Sequence, residues 1–341
     1  MKFAYVVNNH FLGGDKLYSY NDPYNPLNLP PYTIRLLYRD GDTPVLLKGT
    51  AVQISQSPNV WDLTYENSDW TQILSNNLSL LEVLGANTTG VRNMALMFGN
   101  CPRLTRVALF DTSNVISMSG MFIRCVRLPS VPLFDTSNVT NMRSMFEYCT
   151  ILTTVPLFDT SKVTDMSKMF LNCDSLYTVP LFETSNVRFM SQMFAVCNSL
   201  TSVPLFNTSN VMNMSQMFNI CGLTTVPLFD TSNVGSMSYM FAYSDRLTNV
   251  PLFDTSKVSN MESMFEGCSS LTTIPLFDTS DVFYMTNMCA GCINVESGAL
   301  ALYQQASSQE YIPSHNGCFN NCGSNTETGR AELAQIPSDW K

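Results

Sequence analysis

The stretch LTTVPLFDTSKVTDMSKMFLNC, residues 152–173, decides the architecture, because nearly the same letters return throughout the middle of the chain. Aligned on Phe158, the copies carry Phe110, Phe134, Phe158, Phe182, Phe206, Phe229, Phe253 and Phe277. Each step is 24 residues except one of 23, where a residue is missing after Cys221. A fixed period of this size means stacked supersecondary units, none of which buries its apolar face alone. The 341 residues are therefore expected to form a solenoid, not the two globular domains that their number would suggest.

Within one copy, Leu152, Val155 and Leu157 read as a short strand with its apolar residues on one face. Asp159, Thr160 and Ser161 offer oxygens that cap a following helix. Val163, Met166, Met169, Phe170 and Cys173 then fall at i, i+3, i+6, i+7 and i+10, a helical apolar stripe. The expected unit is an α/β coil of the leucine-rich-repeat kind, right-handed, with parallel strands along one side and helices along the other. Pro132, Pro156, Pro180, Pro204, Pro227, Pro251 and Pro275 recur in the strand. Proline has no N–H to donate, so the strand should be short, with Pro on its open face.

The run FDTSNVTNMRSMFEYC, from Phe134 to Cys149, resembles the BspA-like leucine-rich repeats of bacterial surface proteins. It is also similar to repeats in structural proteins of gut bacteriophages. The resemblance covers roughly residues 70–295. It implies an adhesive or protein-binding solenoid and brings no catalytic residues with it.

The register continues beyond the obvious copies. Trp70, Ile73, Leu74, Asn77, Leu80 and Val83 lie 24 residues before Met94, Met97, Phe98, Cys101, Leu104 and Val107, so residues 70–86 should be a degenerate capping coil. Near the other end, Phe319 and Cys322 echo the Met-Phe-x-x-Cys register, and Leu333 to Pro337 echoes Leu-x-x-Val-Pro. Residues 299–309 read as a helix. Before the repeats, Tyr32 to Tyr38, Val45 to Lys48, Ala51 to Ile54 and Val60 to Tyr65 read as strands, with Arg39 to Asp42 as a hairpin turn. Residues 8–31 read as an irregular arm rich in Asn, Pro, Tyr and Gly. The expected division is an arm and separate small β module over 1–69, a solenoid over 70–295, and a helix with a capping repeat over 296–341. The first unit is either a docking device or a cap.

Composition narrows the partners. Charged residues are 13% of the chain, about half the usual share, so the polar surface is Ser, Thr and Asn. A net charge of −9 without a Lys/Arg cluster argues against nucleic acid and anionic membrane. No apolar run approaches the ~20 residues of a membrane span, and Phe3 to Val7 is too short for the core of an export signal.

Three columns and two cysteine pairs invite chemistry. Cys101, Cys125, Cys149, Cys173, Cys197, Cys221, Cys268 and Cys292 share one position, with Ser244 in the gap. Helices packed ~8–10 Å apart hold such residues too far apart for disulfides, so a reduced, buried ladder is expected. Cys289/Cys292 and Cys318/Cys322 have zinc-like spacing, yet each also occupies an ordinary repeat position. Asp111, Asp135, Asp159, Glu183, Asp230, Asp254 and Asp278, with Asn207, form a row suited to capping or to calcium. The Phe158 column either closes the core or lines an open face. No metal or cofactor is assigned, and the only histidines, His10 and His315, lie outside the repeats. Neither a nucleophile elbow nor a phosphate loop is present, so no enzyme is expected.

The open strand face is the expected binding surface: Thr154, Pro156, Thr178, Pro180, Ser202, Pro204, Thr225, Pro227, Thr273 and Pro275. It is rigid and weakly charged, which suits an extended protein or glycan. Two functions follow as expectations. One is a structural or receptor-binding component of a virion, made in a host cytoplasm, contacting other virion proteins or a host-surface protein or glycan, with homo-oligomers allowed. The other is a bacterial surface or secreted adhesin. A carbohydrate-active enzyme is a distant third.

Overall fold

Residues 29–341 are described in full in the computed structural model, and ahead of them the backbone of three short strands. These are β1 (Val6–Val7), β2 (His10–Gly13) and β3 (Lys16–Ser19), paired antiparallel in that order. The arm expected over residues 8–31 thus contains strands; most of its remainder lies outside the described residues.

A second sheet has the order β5-β6-β4-β7-β8, formed by β4 (Thr33–Tyr38), β5 (Thr50–Gln56), β6 (Asn59–Thr64), β7 (Leu80–Asn87) and β8 (Arg106–Val107). The guanidinium of Arg35 donates two hydrogen bonds of 2.7 Å to the Asp62 carboxylate, fixing β4 on β6. Val45 to Lys48 forms no strand. Asp42 N–H bonds Arg39 C=O at 3.0 Å, but β4 pairs with β6 and β7, so that turn closes no hairpin. Strand β7 lies in the degenerate first coil and pairs antiparallel with β4 and parallel with β8. Strands β4, β5 and β6 and the first coils of the repeats therefore share one sheet, and their buried side chains join one apolar core.

The repeats hold no helix, which corrects the α/β expectation. Their Met-x-x-Met-Phe-x-x-Cys segments are runs of overlapping turns: Met97 N–H bonds Met94 C=O, Gly99 bonds Leu96, and Cys125 bonds Phe122. Two residues per coil have positive φ, four positions apart, as in Leu96/Asn100, Lys168/Asn172 and Gln192/Val196. A left-handed residue at the third position of a turn is the type II requirement and stops helix propagation. The intervening amides reach the next coil. Met94, Leu96, Phe98 and Asn100 donate to the carbonyls of Ser117, Ser119, Met121 and Ile123. The N–H groups from Met94 to Asn100 thus find acceptors alternately on the next coil and within their own turn, Ala95 using the Asn93 side chain. A column of parallel bridges marks the stack, from Asp69↔Asn93 through Asn260↔Tyr284 to Tyr284↔Ser314.

The expected strand over Leu152 to Leu157 does not form either. It makes one long bond with each neighbouring coil, Thr153 N–H to Pro129 C=O and Tyr177 N–H to Thr153 C=O, both 3.3 Å. The exception explains the rule. In the first full copy Ala108 stands in the proline column, and its N–H bonds Val83 C=O at 2.9 Å beside β8.

The core is layered. Both methionine columns, the cysteine column and two phenylalanine columns are buried. Phe146, Phe170 and Phe194 stack at 5.7 and 5.6 Å with nearly parallel rings, and Phe158 and Phe182 close a second row against them. The Phe158 column is thus core, which settles the alternative left open above.

At the far end, α1 (Ala299–Ser307) interrupts the register. Cys318 C=O then accepts from Cys289 N–H, and Gly317 and Asn321 supply the two left-handed residues, so Ser314 to Cys322 is a last coil. Leu333 lies in α2 (Glu327–Gln335), so its echo of the strand motif is helical instead. Trp340 seals the end, stacking on His315 at 4.0 Å and on Phe319 at 6.2 Å. Among the described residues no helix is long and apolar enough to cross a membrane.

Candidate functional site

Each Phe-Asp-Thr-Ser corner is built by three side chains with separate tasks. Asp159 accepts from the N–H of Ser161 at 3.0 Å and from its hydroxyl at 2.7 Å, closing an Asx turn. Thr160, buried, donates its hydroxyl to Glu183 C=O of the next coil at 2.7 Å. The same threonine link runs from Thr112 through Thr255. Sequence reasoning missed it, although a threonine repeated in every copy at one position was its signal.

The carboxylate row therefore caps turns and not helices. Asn207 caps equally well, accepting from Ser209 N–H and Oγ at 3.2 and 2.8 Å. The serine hydroxyls and amides hold the carboxyls of Asp135, Asp159, Asp230 and Asp254 below the usual range, and Ser185 does the same for Glu183 through its amide first. Each carboxylate is exposed. Among the described residues no three His, Cys, Asp or Glu side chains come together as a metal would require.

The cysteines are free and buried. Cys125, Cys149, Cys173 and Cys197 each donate the thiol to the Phe carbonyl 27 residues before, at 3.1–3.2 Å. Burial pushes the thiol of Cys149 up to about 12 and that of Cys173 well above its ordinary value. These thiols are protonated and unreactive.

Of the predicted binding face, Thr178, Ser202, Thr225 and Thr273 are exposed, while Thr154 and the five prolines are half-buried. The stacking sets them in two adjacent columns. Beside them stands a column that alternation had placed inside. Leu109, Leu133, Leu157, Leu181, Leu205, Leu228, Leu252 and Leu276 are 53–61% exposed. The cause is local: Phe158 N–H bonds Pro156 C=O at 3.0 Å, a three-residue turn with Leu157 at its apex. The same bond recurs at Phe134, Phe206, Phe229 and Phe277. The leucine thus leaves the alternating pattern and points out, and the phenylalanine after it turns in.

Elsewhere, Thr140, Lys162, Thr164, Asn186, Arg188 and Asn210 line an open groove of about 370 Å³. Asn186 and Asn210 spend their amide N–H on Ser161 and Ser185 carbonyls, and Lys162 donates to Asn138.

A sequence family described as "Mycoplasma protein of unknown function, DUF285" matches three overlapping stretches, residues 70–176, 127–225 and 201–301. No curated protein matches the chain. Among solved structures, a leucine-rich repeat protein from Bacteroides ovatus ATCC 8483 is 16% identical, with a TM-score of 0.37, over 89% of this chain and 92% of that one. An internalin (inlF) from Listeria monocytogenes str. 4b F2365 is 14% identical, with a TM-score of 0.30, over 66% of this chain and 75% of that one. The sequence matches, which together span residues 70–301 and so more than half of the chain, carry the assignment: this protein belongs to the DUF285 family.

Proposed function

We propose that this chain is a non-enzymatic structural or receptor-binding component of a virion, one that infects a gut bacterium, whose repeats hold a protein or a glycan. The observation that carries the binding role is the eightfold repetition of one outward face on a scaffold whose interior columns are consumed by packing. Met, Phe and Cys fill the interior, and Thr links the coils. The Thr/Ser, Pro, Leu and Asp positions meet solvent in register. Such a surface loses little entropy on binding. The eleven cysteines, buried and unbridged, suit folding in a reducing cytoplasm before release. The virion assignment itself draws on the likeness of the Phe134 to Cys149 run to phage structural repeats.

A bacterial surface adhesin is the second reading, favoured by the family description, which names a bacterium. Mass spectrometry on density-purified particles separates the two. Recovery of the chain at a fixed ratio to the major particle proteins is expected. Its absence from particles, together with recovery from the cell envelope, would replace the virion role with the adhesin.

A further inference from the structure

An unbroken parallel ladder crosses the coils at the residue after each buried valine. Thr140 N–H bonds Ile116 C=O, Thr164 bonds Thr140, Arg188 bonds Thr164 and Met212 bonds Arg188, each at 2.9 Å, and the series runs on to Phe283 on Ser259. Its side chains differ from copy to copy. Ile116, Thr140, Arg188, Met212, Gly235 and Phe283 share one position, while the residue before each is Val. A rigid backbone with a different residue in each coil can select one ligand where a uniform face cannot. The open groove lies on this ladder, and in a chain of net charge −9 two cations line it from adjacent coils, Lys162 and Arg188. Asn138 Oδ1 holds the Lys162 ammonium at 2.7 Å, and the exposed Arg188 guanidinium has no partner among the described residues. The amides of Asn186 and Asn210 are fixed by 2.7 Å bonds to the Ser161 and Ser185 carbonyls, and nothing among the described residues donates to their Oδ1 atoms. The nearby carboxylates are engaged. Asp159, which feels the Lys162 charge, accepts from Ser161, and Glu183 accepts from Ser185. Asp165 accepts from Ser167 and lies 3.9 Å from Arg143.

We infer that this groove binds a carboxylated sugar of a glycan, its carboxylate on Arg188 and Lys162 and its hydroxyls donating to Asn186 and Asn210 Oδ1. The inference rests on the reading of the repeats as a binding surface and names the ligand's chemistry. Two kinds of group select it. The cations are donors that require an anion, and the bare amide oxygens require donors. A carboxylated sugar carries both on one small ring. An acidic side chain of a peptide offers acceptors alone, and a neutral sugar leaves the guanidinium unmatched. Asn186 and Asn210 stand one coil apart, a ladder step of ~4.8 Å, so the two oxygens meet separate hydroxyls. Their bonds to the neighbouring coil set the amides in place before a ligand arrives, which lowers the cost of ordering them.

The test titrates the full chain by calorimetry with tetragalacturonate and with sialyllactose, two sources of a sugar carboxylate. Beside them stand the methyl ester of tetragalacturonate, which keeps the hydroxyls without the charge, and tetraglutamate, which keeps the charge without the hydroxyls. At least one acidic sugar should bind, and which one binds names the source. The ester and tetraglutamate should each bind about tenfold or more weakly than the acidic sugar. Raising salt from about 20 to 200 mM should weaken the acidic sugar by about threefold or more. Arg188→Thr and Lys162→Asn keep the fold, because Thr164 and Asn186 already stand at those positions in other copies, and each should lose about fivefold or more in affinity. Asn186→Asp, which Asp281 in the last copy shows to be allowed there, sets a like charge against the ligand and should abolish binding. Failure of both acidic sugars to bind, equal binding by the ester or by tetraglutamate, or an unchanged affinity in Arg188→Thr would each overturn the inference. Equal binding by tetraglutamate would assign the groove to an acidic protein segment and keep the repeats as a binding surface. Recovery from particles is independent of these readings, so failure here leaves the virion assignment standing.

Discussion

Ser244 is the member of the cysteine column that is not a cysteine, and it faces the one repeat that is a residue short. Its hydroxyl donates to Phe218 C=O at 2.7 Å and accepts from Cys221 N–H at 3.1 Å. A thiol does the first task in six other copies, Cys268 and Cys292 among them, but is a weak acceptor for the second. In the short repeat the next residue, Gly222, is pressed so close that an added Cβ would lie 2.1 Å from the Asn198 carbonyl oxygen. Serine and glycine together accommodate the missing residue. Ser244→Ala is expected to lower stability by roughly 1–3 kcal/mol in urea unfolding, as two buried backbone groups lose their partner. Ser244→Cys should cost less. Gly222→Ala is expected to cost roughly 1–3 kcal/mol by overpacking, whereas alanine at the solvent-facing Ser199 should leave the unfolding midpoint nearly unchanged. Leu157 teaches the converse lesson. Strand alternation put it inside, and only the turn over the Pro156 carbonyl brings it out.

At the scale of the element, the apolar spacing of Val163, Met166, Met169, Phe170 and Cys173 was legible, but its helical meaning was not. Steps of three suit a chain of turns as well as a helix, and the left-handed residues decide between them. Their trace in the sequence was faint. Gly120, Gly267, Gly291 and Gly317 occupy those positions, as do Asn100, Asn172, Asn287 and Asn321, both residue types that tolerate positive φ. Lys168, Gln192 and Val196 at equivalent places hide the signal. The burial of the Met and Cys columns, by contrast, followed from their periodicity under either conformation. The Asp-Thr-Ser corner was read correctly as a cap and incorrectly as a helix cap. It carries a prediction for acid. The serine-bonded carboxyls of Asp135, Asp159, Asp230, Asp254 and Glu183 are depressed in the fold. Their contribution is therefore complete above the unfolded value near ~4 and is lost as pH falls through the lower folded value. The melting temperature should stay level from neutral pH to about 5 and decline below about 4. Asn at Asp135, Asp159, Asp230 and Asp254 together should flatten that decline. An equally steep decline in that variant would place the acid sensitivity elsewhere.

For the whole molecule, the sheet that β4, β5 and β6 share with the first coils alters the expected independence of the solenoid. Ile34, Leu36 and Tyr38 of β4 are buried, and the Tyr38 hydroxyl donates to Asn77 Oδ1 at 2.8 Å. Deleting residues 1–58 removes β1 to β5 and bares the edge of β7 that β4 pairs with. Such a truncation is expected to melt at a lower temperature and to aggregate through the uncovered edge. Melting at the full-length temperature would show that the repeats need no such cover. Between its two seals, the stack behaves as a one-dimensional polymer with nearest-neighbour bonds. Each added copy brings one ring to each stack, one threonine link, one leucine and one acid, and alters nothing elsewhere. The copies are also nearly identical in sequence, so unequal crossing-over within the gene can insert or remove whole units without breaking the fold. The reach of the exposed leucine column is then a heritable length, adjustable in steps of one coil, and related genes should differ in size by multiples of one repeat.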